Sequence, residues 1–131
     1  MSSYAFAVNS PKNFDATVQA VTAALKQEGF GVLTTIDVQA TLKAKLGVEQ
    51  RRYTILGACN PDFAHQALQT DPDIGALLPC NVVVREESDR TTSVVFMDPQ
   101  AVLGMVARPE IEILGREVRS RLLRVAEALH G

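Results

Sequence analysis

Tryptophan is absent from these 131 residues, and the aromatic share is only 5%. A core must therefore be built from Val, Leu, Ile and Ala, and a surface that stacks nucleic-acid bases on aromatic rings has few rings to draw on. A charge excess of one sign is missing as well. Thirteen Lys and Arg against fifteen Asp and Glu leave a formal net charge of −2. Such a chain has no general attraction for phosphate backbones or anionic lipid, so neither nucleic acid nor a membrane is an expected partner. No apolar run approaches the roughly 18 residues of a spanning helix. The opening stretch MSSYAFAVNS lacks the charged start and apolar centre of a secretory signal, so the cytoplasm is the expected location. Only two cysteines and two histidines occur. In a reducing compartment the two cysteines are expected as free thiols. Structural zinc needs four ligands in recognisable pairs, and Cys59, Cys80, His65 and His130 do not supply them, so no metal site is expected. Phosphate-binding loop, dinucleotide glycine and nucleophilic serine motifs are also missing.

What is present reads as one globular domain over residues 1–131, with 47% apolar and 21% charged residues. Tyr4, Phe6 and Val8 alternate as a first strand. Phe14, Val18, Val21 and Leu25 are spaced 4, 3 and 4 apart, the signature of one helix face, and Gly29 is suited to end that helix. Phe30–Val38 reads as a second strand with Val32, Ile36 and Val38 on one face. Asp37 then caps a short helix with Leu42 and Leu46 inward. A third strand runs over Arg52–Ala58. Asn60-Pro61-Asp62 starts a helix with a favoured cap, a proline in the first turn and an acidic residue at the positive end. Cys80–Glu86 and Thr91–Met97 form a hairpin. Asp98-Pro99 starts another helix that Pro109 interrupts. The last helix places Ile111, Leu114, Val118, Leu122, Val125 and Leu129 on one face, with Arg121 at its boundary. The order β-α-β-(short α)-β-α-β-β-α predicts an α+β two-layer sandwich, a five-stranded sheet with helices on one face. Its topology is either ferredoxin-like or TBP-like.

The most chemically pointed feature is a repeated pair, Cys59-Asn60 and Cys80-Asn81. Cys59 stands at a strand end just before a helix N-terminus, whose free N–H groups and partial positive charge favour a thiolate. A small apolar residue filling the strand–helix junction is the competing explanation. Cys80 opens a strand, and burial in the sheet explains it equally well. Their separation of 21 residues is not a C-x-x-C redox motif. Asp37 and Asp98 are carboxylates near strand ends, and helix capping accounts for both. Lys43, Lys45, Arg51 and Arg52 form a local basic cluster that reads first as a solvated face.

Several segments together resemble one family. They are Gly29-Phe30-Gly31-Val32-Leu33-Thr34-Thr35-Ile36-Asp37-Val38 with Thr41-Leu42-Lys43, and Ile55-Leu56-Gly57-Ala58-Cys59-Asn60-Pro61 with Ala64 and Ala67-Leu68. Asp73-Ile74-Gly75, Leu77-Leu78-Pro79-Cys80-Asn81-Val82-Val83-Val84 and Met97-Asp98-Pro99 complete the set. They resemble domain-of-unknown-function family 302 over nearly the whole chain. The resemblance implies a small α+β fold, a bacterial or archaeal source and a homodimer, and it implies no activity. The family's characteristic Cys-Asn positions fall on Cys59-Asn60 and Cys80-Asn81. The expectation is a cytosolic homodimeric module that binds or senses a small ligand, with Cys59, Asn60, Cys80, Asn81 and Asp98 lining the site. A thiol redox enzyme using Cys59 and Cys80 is one alternative. A structural or interaction protein in which the thiols merely pack is the other.

Overall fold

The computed structural model describes residues 3–130. In chain order it contains β1 (Ala5–Ser10), α1 (Phe14–Gln27), β2 (Gly31–Asp37), α2 (Val38–Leu46), β3 (Tyr53–Cys59) and α3 (Pro61–Thr70). A 3₁₀ turn (Pro72–Leu77) leads to β4 (Cys80–Glu86), β5 (Thr92–Met97) and α4 (Pro99–Leu103), and a second 3₁₀ turn (Gly104–Val106) precedes α5 (Pro109–Ala128). No described helix is long and apolar enough to cross a membrane.

The expected five-stranded α+β architecture is observed. The strands lie in the order β1-β5-β4-β3-β2, and every neighbouring pair is antiparallel. Of the two anticipated topologies, the ferredoxin-like one is not adopted. A split βαβ unit needs parallel strands on either side of each helical crossover. Here β3 and β4, joined by α3, are direct antiparallel neighbours, and β1 and β2, joined by α1, sit at opposite edges. The chain instead runs as a continuous meander from β2 to β5, with β1 added beside β5, an order compatible with the TBP-like alternative.

Alternation assigns one sheet face to the interior. Leu56, Ala58, Val82, Val84, Val94 and Phe96 point inward and meet Val21 and Leu25 of α1 and Val118, Leu122 and Val125 of α5. Full burial of such a side chain is worth about 1.5–3 kcal/mol, so this layer dominates stability. A second cluster, Ala67, Ile74, Leu103, Ile111 and Leu114, joins α3, the first 3₁₀ turn, α4 and α5. The helix starts behave as the sequence indicates. Asn13, Asp37, Asn60 and Asp98 each accept backbone N–H groups of the following turn. Gly29 ends α1 at φ +86°, in the left-handed region where a Cβ is penalised.

The flank formed by β2 and α2 departs from expectation. Val32 pairs with inward-facing Ala58, whereas Ile36 pairs with outward-facing Ile55. The two therefore lie on opposite faces, because the register slips between Val32 and Thr34; one extra residue in a ladder reverses every side chain beyond it. Helix α2 buries none of its residues. Leu46, expected inward, is 69% exposed.

Candidate functional site

The site grows from the junction where β3 leaves the sheet. Ala58 opposite Cys80 is the last pair of the β3–β4 ladder. Cys59 follows at once and pairs on its other side with Gly31 of β2. Asn60 then turns the chain into α3, its Oδ1 accepting from the backbone N of Asp62 at 3.1 Å and of Phe63 at 3.3 Å. Adjacent strands lie about 4.8 Å apart, so this register brings two cysteines far apart in sequence to neighbouring places at one end of the sheet.

Both cysteines line a single cavity of about 30 Å³. It opens at the seam between the two apolar clusters. Ala58, Phe30 and Val118 belong to the cluster between sheet and helices, and Ala67, Leu103 and Leu114 to the second cluster. Phe63 of α3 and Leu78, just ahead of β4, complete much of the wall. The lining is almost wholly apolar apart from the thiols and Asn60. A volume of this size admits one water-sized guest, far below the roughly 300 Å³ at which metabolite pockets begin.

The thiols are unbridged; Cys80 is buried and Cys59 half-buried. Burial pushes the Cys59 thiol above its ordinary value. It pushes Cys80 up to about 12, and proximity to Cys59 adds to that rise. Burial opposes the activation expected from the start of α3, and the backbone N–H groups of Asp62 and Phe63 there already donate to Asn60 Oδ1.

Near Asn60 sits a residue that the sequence places only at the boundary of the apolar face of the last helix. The Arg121 guanidinium lies 5.0 Å from the centroid of the Phe63 ring, and its Nη1 donates to the Glu28 carbonyl at 3.0 Å. Arg121 Nε is buried with no hydrogen-bond partner among the described residues, a state that costs about 1–3 kcal/mol or more for a charged group. Gly29 leaves room for the Asn60 amide. A Cβ there would meet Asn60 Nδ2 at 2.9 Å and Arg121 Nη1 at 3.5 Å. The signal available in sequence was an arginine at the edge of an otherwise apolar face of α5.

Other candidate residues lie elsewhere. Asn81 is exposed and pairs with Gly57 on the outward face of the sheet. Asp98 caps α4 through Gln100 N and Ala101 N and forms an ion pair with Arg119 at 3.1 Å. Neither lines the cavity. The basic cluster is dispersed: Arg52 pairs with Asp15 at 2.7 Å and covers the Phe14 ring, while Lys43 pairs with Glu49 at 3.1 Å. Asp37 caps α2, and His65 is exposed on α3.

Comparison with known proteins places this arrangement in context. Over 57 residues the chain is 32% identical to an uncharacterized protein of Aquifex aeolicus (strain VF5). The match covers 43% of this chain and 40% of that protein, so it spans less than half the length of the relative. The crystal structure of an uncharacterized conserved DUF302 protein from Bacillus stearothermophilus superimposes with a TM-score of 0.90 at 29% identity, covering 98% of this chain and 99% of that one. The family model described as domain of unknown function DUF302 matches residues 6–129. This chain therefore belongs to the DUF302 family.

Proposed function

We propose that this DUF302 domain is a homodimeric binding or sensing module that takes a small thiol-seeking guest between Cys59 and Cys80. One observation carries the reading: thiols 21 residues apart in sequence line the same cavity. Its dimensions narrow the guest to something of atomic size, which rules against a metabolite. Asn60 fixes the turn that presents Cys59, and Asn81 and Asp98 act at the periphery. Two unbridged thiols suit a reducing compartment such as the cytosol. Thiol redox catalysis is less well supported, because a nucleophilic thiol needs its pKa lowered and burial drives both of these upward.

The homodimer has its own support in the β2–α2 flank. β2 is an edge strand with Leu33 67% and Ile36 49% exposed, beside the bare apolar side chains of Leu46 and Val48. Its residues from Gly31 to Ile36 carry no charge and no proline, the usual protections of an edge. A helix of nine residues is too short to persist on its own propensity, so α2 gains from a partner that covers it. A second copy pairing β2 antiparallel with itself would do so. Native mass spectrometry of freshly purified protein tests both parts. A dimer carrying an added mass that Cys59→Ser and Cys80→Ser abolish is the expected spectrum. Guest-free chains with unreactive thiols, unchanged in both variants, would sink the binding reading and leave a purely structural role for the cysteines. A concentration-independent monomer would remove the dimer alone.

A further inference from the structure

We infer that the guest between Cys59 and Cys80 is a soft two-coordinate cation, copper(I), held as a bis-thiolate with Arg121 supplying the countercharge. The inference rests on the binding reading above and names its ligand.

The donor set selects the ion. Among the described residues, no group of three or more His, Cys, Asp or Glu is placed to hold a metal, and the two thiols are the only sulfur donors on the cavity wall. Zinc requires four ligands, or three with an open position. Calcium and magnesium require oxygen donors. A d¹⁰ monovalent cation is satisfied by two thiolates, and soft sulfur ligands favour copper(I) over harder competitors. The space agrees, since a cavity of about 30 Å³ accommodates a bare ion and no more than one further small ligand.

The charge balance brings in the second observation. Two Cu–S bonds form, the two thiol protons, which burial holds more tightly than usual, are displaced by the metal and pass to solvent, and no electron is transferred. The product carries one negative charge in an apolar setting, which is costly without a partner. The positive charge at hand is Arg121, stacked on Phe63 of the cavity wall with a buried Nε–H that has no acceptor among the described residues. Asn60, the residue after Cys59, and Arg121 Nη1 both border the space over Gly29. An orphaned guanidinium N–H, unexplained in a purely structural account, becomes the outer partner of an anionic centre.

The test is an anaerobic competition in which fully reduced protein draws copper(I) from bicinchoninate, followed by X-ray absorption on the loaded protein. One copper per chain with two sulfur neighbours is expected. Cys59→Ala and Cys80→Ala should each weaken binding by about 100-fold or more. Arg121→Gln should weaken it roughly 10-fold, as outer partners of metal ligands do, with its circular dichroism unchanged. Zinc(II) should not be retained. Binding no tighter than that of the Cys59→Ala/Cys80→Ala double variant, or copper bound through nitrogen or oxygen, would overturn the assignment. An unchanged affinity in Arg121→Gln would remove the countercharge role. If copper(I) fails but the native spectrum still carries a cysteine-dependent mass, the binding reading stands and only the metal is wrong; if both fail, both fall.

Discussion

The interior and one edge of this sheet carry similar apolar residues and use them differently. Around β4 and β5, Val82, Val84, Val94 and Phe96 are sealed beneath α1 and α5. Around β2 and α2, Leu33, Ile36, Leu46 and Val48 stand in the open. The difference begins at a single point. Gly31, the first residue of β2, pairs with Cys59, and the register slips just beyond it. The candidate site therefore lies where the packed part of the molecule meets the unpacked part.

The comparison is broken most forcefully by truncating both sides. Phe96→Ala is expected to destabilise by about 3–5 kcal/mol, whereas an exposed change such as Leu46→Ala should stay within about 0.5 kcal/mol. Urea unfolding of each at low protein concentration checks this, and equal losses would mean that α2 is packed after all. Overpacking gives the next effect. A Cβ at Gly115 would sit 3.0 Å from the Pro99 carbonyl oxygen, so Gly115→Ala should cost about 1–3 kcal/mol by forcing α4 from α5. Gly57 is tighter still, since a Cβ there would collide with Thr34 Oγ1 and reach Pro79 Cγ at 2.9 Å. Pairing Gly57→Ala with Thr34→Ala should recover part of the loss, which a double-mutant cycle would measure. Capping comes next in size. Asn60→Ala should cost about 1 kcal/mol and shift the reactivity of Cys59, because it frees the first N–H groups of α3.

Proton linkage gives the mildest effect near neutral pH. Cys80 titrates at about 12 in the folded chain, above its ordinary value of 9.0. The folded state thus holds a proton that the unfolded state releases, so stability is full below pH 9.0 and falls as pH rises toward about 12. Cys80→Ala should flatten that alkaline limb in thermal melts. Glu87 has the opposite sense. The Ser93 hydroxyl, then burial against it, then Arg85 set a net lowering of its carboxyl pKa. Its contribution is present above the ordinary value of 4.5 and is lost as pH falls through the lower folded value.

Much of this fold was legible from local rules. The inward face of α5, the caps at Asn60 and Asp98 and the hairpin of β4 and β5 follow from periodicity and turn chemistry. The orientation of Ile36 did not, because a bulge is a two-strand property that a single strand's alternation cannot reveal. The exposure of Leu46 was hidden for a related reason: an amphipathic spacing states that a face seeks cover, and not whether this chain supplies it. At the site, Cys59, Asn60 and Cys80 were singled out from sequence, and the β3–β4 register explains how the two thiols come together. Asn81 was grouped with them by adjacency to Cys80 and Asp98 by its place at a strand end, whereas strand alternation and an ion pair with Arg119 take them away from the cavity. Arg121 was not legible as a partner because its contacts, the Phe63 ring and the Glu28 carbonyl, lie on elements distant in sequence.

The central claim is that Cys59 and Cys80 behave as one site, and mercury(II) tests it directly. One equivalent per chain, added to dilute reduced protein before denaturation, should protect both thiols from Ellman's reagent, and no covalently linked pairs of chains should form. If one equivalent leaves a full thiol per chain reactive, or protects both only by bridging two chains, the thiols do not share a cavity and the account is contradicted.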